Sequence, residues 1–313
     1  MSIAKRILPF YTVAGILLLS LVAGGAEAGH RYKPFVLGSR ADRDFDATVQ
    51  QTRAALKGAG FEILGEYSPY SDTTFVDNTT VIVVTNDELK AIARKTQYGG
   101  FAAPWRVAVT QVGKEVQVAY ANPAYFVYAY RLDGDLDGVA EALKDALGAE
   151  ETFGAKKGLS KGDLRDYHYT FGMEYFDNVY QLAEYDSHQE ALDALEKNLA
   201  AGVAGVTKVY RLDLDDKVSV FGVARKAPKA AAIDMDEAHI MSIVDSGAPK
   251  GTAYLPYEIM VDGDKIVALH MRFRMAVHYP DLKMMGSHSF MDIMPSPNAI
   301  QKAFTEVAGG PAR

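Results

Sequence analysis

The sequence predicts an α+β fold made twice: two tandem β-α-β-β-α-β-β-α modules, each a mostly antiparallel sheet with its helices packed on one face. Three observations predict it. A Pro-aromatic pair opens a hairpin of alternating apolar residues twice, at Pro104-Trp105 to Tyr130 and at Pro256-Tyr257 to Tyr279. Ahead of each pair, β-branched runs and amphipathic helical stretches follow in the same order. Tight turns at Gly113-Lys114 and Asp262-Gly263 join strands directly, which makes neighbours antiparallel.

In the first module, Tyr32 to Leu37 is extended, and Asp44 or Asp46 can cap a helix whose Phe45, Val49 and Leu56 share one face. Gly58 and Gly60 end that helix, and Phe61 to Tyr67 reads as a strand. The β-branched run Thr79 to Thr85 is a buried strand, and Asn86 or Asp87 caps a short helix through Thr96. Val107 to Val112 and Val116 to Tyr130 form the hairpin, and Leu136 to Leu147 closes the module as a helix.

The second module repeats the order. Val179 to Tyr185 is a strand; a helix from Ser187 puts Leu192, Leu195 and Leu199 on one face, and Gly202 stops it. Strands Thr207 to Leu214 and Lys217 to Ala224 follow, then a helix near Asp234 to Val244, the second hairpin, and a helix from Pro297 to Val307. Glu150 to Met173, rich in Gly, Lys and Tyr, reads as part of a linker. The expected division is 1–28 signal peptide, 29–149 first module, 150–176 linker and 177–313 second module.

The signal-peptide expectation rests on Lys5 and Arg6, the apolar run Ile7 to Val22, and the small residues up to Ala26-Glu27-Ala28. The alternative is a retained membrane anchor, the run being slightly short of the roughly 18 to 20 residues a span needs. Cleavage places the protein in the periplasm or outside the cell, with no membrane attachment afterwards. It would remove two cations and one anion, so a formal charge of −7 becomes −8 and nucleic acid is excluded as a partner. The absence of cysteine excludes disulfides, thiolate catalysis, thiolate metal sites and a lipoprotein acyl anchor together.

The segment Val81-Ile82-Val83-Val84-Thr85-Asn86-Asp87-Glu88-Leu89, then Ala103-Pro104-Trp105-Arg106-Val107-Ala108-Val109, then a strand ending Ala121-Asn122-Pro123, resembles the domain-of-unknown-function family numbered 302. The second half looks like a more divergent copy. The resemblance implies a β-α-β4-α fold of TATA-box-binding-protein-like architecture, without implying DNA binding. It also implies a Cys after the hairpin proline, where this chain has Trp105 and Tyr257. A thiol-dependent role is thereby lost, while an aromatic-lined pocket stays open.

Read as a continuous strand, the second hairpin puts His270, Arg272, Arg274 and His278 on one face and Met271, Phe273, Met275 and Val277 on the other. The cationic stripe suits a small anion, because guanidinium forks match oxyanions; a solvated edge face is the competing reading. The first hairpin carries Tyr120, Asn122, Tyr125, Tyr128 and Tyr130, so Tyr120 and Tyr128 join the candidate ligand surface. Those faces would otherwise pack the modules together.

Nine of the eleven methionines lie between Met235 and Met294. Met271 and Met275 read as core. Met284, Met285, His288 and Met291 sit in an expected loop, and thioether with imidazole is a ligand set for copper, Cu(I) especially. Packing of that loop over the sheet is the plainer alternative. Asp133-Gly134-Asp135-Leu136-Asp137-Gly138 begins like a calcium loop, but the twelfth position is Lys144, and an acidic helix start explains it as well. No nucleophile elbow or triad stands out, so no catalytic residue is expected. The leading expectation is a non-enzymatic periplasmic binding or accessory protein for a small anion or metal ion. The alternative is a module that docks on another exported protein through its tyrosines; a metal-assisted enzyme using His270 or His278 ranks last.

Overall fold

A computed structural model describes residues 30–311, so the expected signal peptide lies outside the described residues. The first half runs β1 (Phe35–Asp42), α1 (Phe45–Gly58), β2 (Glu62–Tyr67), β3 (Asn78–Thr85), α2 (Asp87–Ala93), β4 (Trp105–Val112), β5 (Glu115–Ala121), α3 (Pro123–Ala129) and α4 (Asp137–Leu147). A connecting stretch holds β6 (Glu151–Phe153) and α5 (Lys161–Arg165). The second half runs β7 (Val179–Glu184), α6 (His188–Ala200), β8 (Val206–Asp213), β9 (Val218–Arg225), α7 (Glu237–Val244), β10 (Tyr257–Asp262), β11 (Lys265–Leu269), α8 (Met271–His278) and α9 (Ser296–Val307).

The fold is α+β, with two antiparallel sheets of the same topology. The first has the order β2-β3-β4-β5-β1, extended by β6; the second, read from its opposite edge, has β8-β9-β10-β11-β7. Each strand except β6 therefore has a counterpart in the other sheet. Strand alternation assigns the faces. In β4, Trp105, Val107 and Val109 share a core with Val49 and Leu56 of α1 and Val139 and Leu143 of α4. In β10, Tyr257, Ile259 and Val261 share one with Leu192 and Leu195 of α6 and Ile300 and Phe304 of α9.

The faces without these helices are turned toward the other half. The turn at Thr252–Tyr254, just before β10, packs on β4 and β5; its counterpart at Gly99–Ala102, just before β4, packs on β9 and β10. The edge strands β2 and β8 also meet. Met271 and Met275 are buried, and the halves enclose one another's bare faces rather than leaving them to solvent.

Both expected hairpins extend too far in the sequence reading. β5 stops at Ala121 and β11 at Leu269, and a helix follows each. Asn122 caps α3 by accepting from Ala124 N–H, with Pro123 at the first helical position; His270 caps α8 in the same place. Asn before Pro is a helix start, and apolar alternation past it has no strand to belong to. The expected linker is likewise structured. β6 pairs with β1, and the Tyr167 and Tyr169 hydroxyls donate to Ala276 O and Leu282 O of the second half, at 2.8 Å each.

Candidate functional site

Two places gather chemistry-bearing side chains, and both lie between the halves. The first starts from the repeated Pro-aromatic pair. Trp105 Nε1 donates to Ala121 O, and the Tyr257 hydroxyl donates to Leu269 O, which are equivalent bonds because Ala121 and Leu269 end β5 and β11. The aromatics thus face their own helices, and the next residues, Arg106 and Glu258, must face the opposite way. They meet: Arg106 Nη1 donates to Glu258 Oε1 at 2.7 Å.

Arg274, one turn ahead of His278 on the buried side of α8, takes the other carboxylate oxygen through Nε at 3.1 Å. Its Nη2 donates to Tyr254 O and Pro256 O, and its guanidinium carbon lies 4.3 Å from the ring centres of both Tyr254 and Tyr257. Burial alone would lower the Arg274 pKa, but Glu258 and the surrounding phenols outweigh it and hold the group charged. His278 Nδ1 contacts Arg274 O at 2.7 Å, and Nε2 faces Arg106 Nη2 at 3.5 Å. Burial, then Arg274 and Arg106, pushes the imidazole well below its usual range, so it is neutral. Arg106, Glu258, Arg274 and His278 are each 1% exposed or less.

The second place is a cleft of about 820 Å³, walled by the β1 and β6 edge of the first sheet and by the 244–251 and 279–288 segments of the second half. Its volume lies in the range of small-molecule sites. The floor is aromatic: Phe35 stacks on Phe153 at 5.4 Å and meets Tyr279 at 5.9 Å. Only glycine fits at position 251, since a Cβ there would lie 2.9 Å from the Phe35 ring and 3.0 Å from the Tyr279 hydroxyl. Gln117 of β5 holds this wall with two bonds, Nε2 to Lys250 O at 2.7 Å and Lys250 N–H to Oε1 at 2.9 Å.

Asp245, at the end of α7, lines the cleft at 4% exposure. Its Oδ1 accepts from Gly251 N–H at 2.8 Å, while Oδ2 is buried without a partner. Burial pushes this carboxyl up to about 7, against the Gly251 N–H and the Lys250 ammonium. Lys33, Arg40, Lys156 and Lys283 also line the cleft. Arg40 reaches Glu115 at 3.8 Å; the three lysines have no ion-pair partner among the described residues.

The structure breaks the expected cationic stripe in two. His270 and Arg272 share Glu174, at 3.1 Å and 2.9 Å, near the surface, and burial moves His270 down to about 4. Arg274 and His278 lie inside the interface. A helix, unlike a strand, separates residues two apart by about 200°. Tyr120 and Tyr128 do not share a face either. Tyr120 packs on the helix side with its hydroxyl donating to Gly148 O, and Tyr128 lies on α3 against Tyr32, under Lys161 and Arg165.

In the methionine loop, Met284, Met285 and Met291 are exposed, Met291 N–H donates to Met284 O at 3.2 Å, and His288 lines the cleft mouth. Among the described residues no three His, Asp or Glu side chains form a group that could hold a metal ion. Asp135 instead accepts from Asp137 N–H at 3.3 Å where α4 begins.

The sequence reading missed Arg106, Glu258 and Asp245. For the first two a signal existed: Pro104-Trp105-Arg106 and Pro256-Tyr257-Glu258 put opposite charges at equivalent repeat positions.

Residues 38–149 match the family model described as "Domain of unknown function DUF302". The crystal structure of an uncharacterized conserved protein DUF302 from Bacillus stearothermophilus is similar at 16% identity, covering 36% of this chain and 94% of that one, with a TM-score of 0.31. No curated protein matches.

Proposed function

Residues 38–149 are a DUF302 domain, and from that premise we propose that the chain is an exported, non-catalytic binding protein for a small organic anion. In this reading the second half is a divergent copy, and the ligand lies in the cleft between the two. The observation that carries it is a cleft of about 820 Å³ with an aromatic floor and three lysines lacking ion-pair partners among the described residues, on a chain of net charge −7. A flat apolar body would rest on Phe153 and Tyr279, which Phe35 backs from beneath, while Lys33, Lys156 and Lys283 supply charge at the rim. Export rests on the N-terminal sequence, Lys5 to Ala28.

The test is mass spectrometry of small molecules released on denaturing protein purified from the periplasm. An organic anion should accompany the wild type and be lost from the variant Lys33→Ala, Lys156→Ala, Lys283→Ala with an unchanged circular dichroism spectrum. Equal recovery from both rejects the cleft.

A second reading has its own observation: thioethers exposed together on the 284–291 loop, Met285 at 75%, where they add little to packing. Such a loop suits Cu(I). Titration with Cu(I) against bicinchoninate should show one site that disappears on replacing Met284, Met285, His288 and Met291 together; a site that survives excludes this loop.

A further inference from the structure

The buried ionic seam is out of balance. Arg106 and Arg274 bring two permanent positive charges and Glu258 one negative, and His278 is neutral, so this cluster keeps one positive charge; the buried Arg225, 5.1 Å from the Tyr257 ring, faces its own carboxyl, Glu237, at 3.6 Å. An uncompensated charge in the interior is costly, and a guanidinium cannot relieve the cost by losing its proton.

The hydrogen-bond donors around it are out of balance in the same direction. Among the described residues, Arg274 Nη1 and the hydroxyls of Tyr130, Tyr210 and Tyr254 are all buried without a partner. All four can donate, and no unpartnered acceptor of Glu258 stands beside them, since both its oxygens are engaged. Buried polar groups in folded proteins are satisfied in the great majority of cases, so four orphan donors around surplus positive charge make a pattern.

The backbone directs one of these donors there. Tyr210, Gly222 and Glu258 stand in register across β8, β9 and β10. The Tyr210 ring lies over Gly222, where a Cβ would meet ring carbon at 1.9 Å. The missing side chain opens a lane through which the phenol extends toward Glu258. Tyr254 covers Arg274 from one side, with its ring also 5.0 Å from His278. Tyr130 lies beside Phe126, which packs 4.5 Å from His278. Both Tyr130 and Tyr210 feel the charges of Arg106, Arg274 and Glu258, and burial raises both phenols, keeping them protonated.

We propose that the interface between the halves binds a buried monatomic anion of the halide class, held by Arg274 Nη1 with the Tyr130, Tyr210 and Tyr254 hydroxyls. One negative charge cancels the excess, and a spherical acceptor accommodates donors arriving from several directions. Water satisfies donors but leaves the charge. The ion sits where the opposed β4 and β10 positions meet, and so it clamps the two halves. This site is separate from the cleft, and the proposal stands or falls independently of the ligand reading above.

The test uses the mature full-length chain. Thermal unfolding in sodium chloride is compared with sodium gluconate at equal ionic strength, and crystals grown in sodium bromide are measured at the bromine absorption edge. The expected results are a melting temperature that rises with chloride but not with gluconate, and an anomalous peak in contact with Arg274 Nη1. Tyr210→Phe, which keeps the ring over Gly222, should fold and bind chloride at least threefold more weakly. Identical melting curves in the two salts, or no peak at that position, overturn the proposal. So does a Tyr210→Phe protein with unaltered chloride dependence.

Discussion

Asp245 and Glu237 are buried carboxyls of similar character in different places. Asp245 lies in the cleft wall with one oxygen unpartnered. Glu237 starts α7, facing Arg225 at 3.6 Å and accepting from the Tyr67 hydroxyl at 3.3 Å. Burial raises Glu237, like Asp245, to about 7, opposed mainly by Arg225. A carboxyl raised on folding binds its proton more tightly in the native state, so its contribution is present below about pH 4 and lost as pH rises to 7. His270 and His278 act oppositely: both are lowered on folding, and their contribution is lost as pH falls below about 6.5. The wild-type profile is therefore a difference between opposing terms, and single variants separate them. Asp245→Asn should gain stability relative to wild type as pH goes from 5 to 8 in urea unfolding. A wild-type-to-variant gap constant across that window would mean that Asp245 ionises normally in the folded chain.

At the level of elements, the sequence reading succeeded where period and cap agreed. α1, α2 and α6 begin at Asp44, Asn86 and Ser187, each with its side chain accepting a backbone N–H, and each carries an apolar stripe. It failed after β5 and β11, where short helices look like alternation. α3 has seven residues and no charged side chain, and in α8 Arg272 and Arg274 stand two apart, so neither shows a polar face at helical spacing. Asn122 was the legible sign in the first half; His270 is a weak cap and gave little. Asn122 also ties the chain ahead of β1, its Nδ2 donating to Lys33 O at 2.8 Å. Asn122→Ala should cost about 1 to 2 kcal/mol through the lost cap. Equilibrium denaturation measures it, and a change below a few tenths would show that α3 does not depend on its cap.

For the whole molecule, each half covers the helix-free face of its sheet, and the charge on that face, only in the presence of the other. Arg106 and Glu258 are paired across the interface, and Gln117 and Thr110 of the first sheet bond Lys250 and Thr252 of the second half. Separated halves would bare Arg106 or Glu258 together with Val81, Val83 and Ala108 or Val220 and Met260. Residues 30–149 alone should bind a hydrophobic dye and lack a sharp near-ultraviolet spectrum, and adding residues 150–311 should restore both. A first half that unfolds cooperatively by itself without binding dye would show that the interface is dispensable.

Repetition, caps and strand alternation are local properties of the chain, and they are enough to determine the α+β class and a common order of elements in both halves. They also told which residue of each strand opposes its own helices. What lies against the opposite face is a long-range matter, and only the tertiary structure decided it. Covering those faces with each other took Arg274 and His278 of the expected surface stripe into an interior ion cluster and left His270 and Arg272 paired with Glu174 near the surface. The physical reason is that a charge's role depends on its neighbours in space: Arg274 is a solvent-facing anion ligand in one arrangement and the buried partner of Glu258 in the other, with no change in sequence.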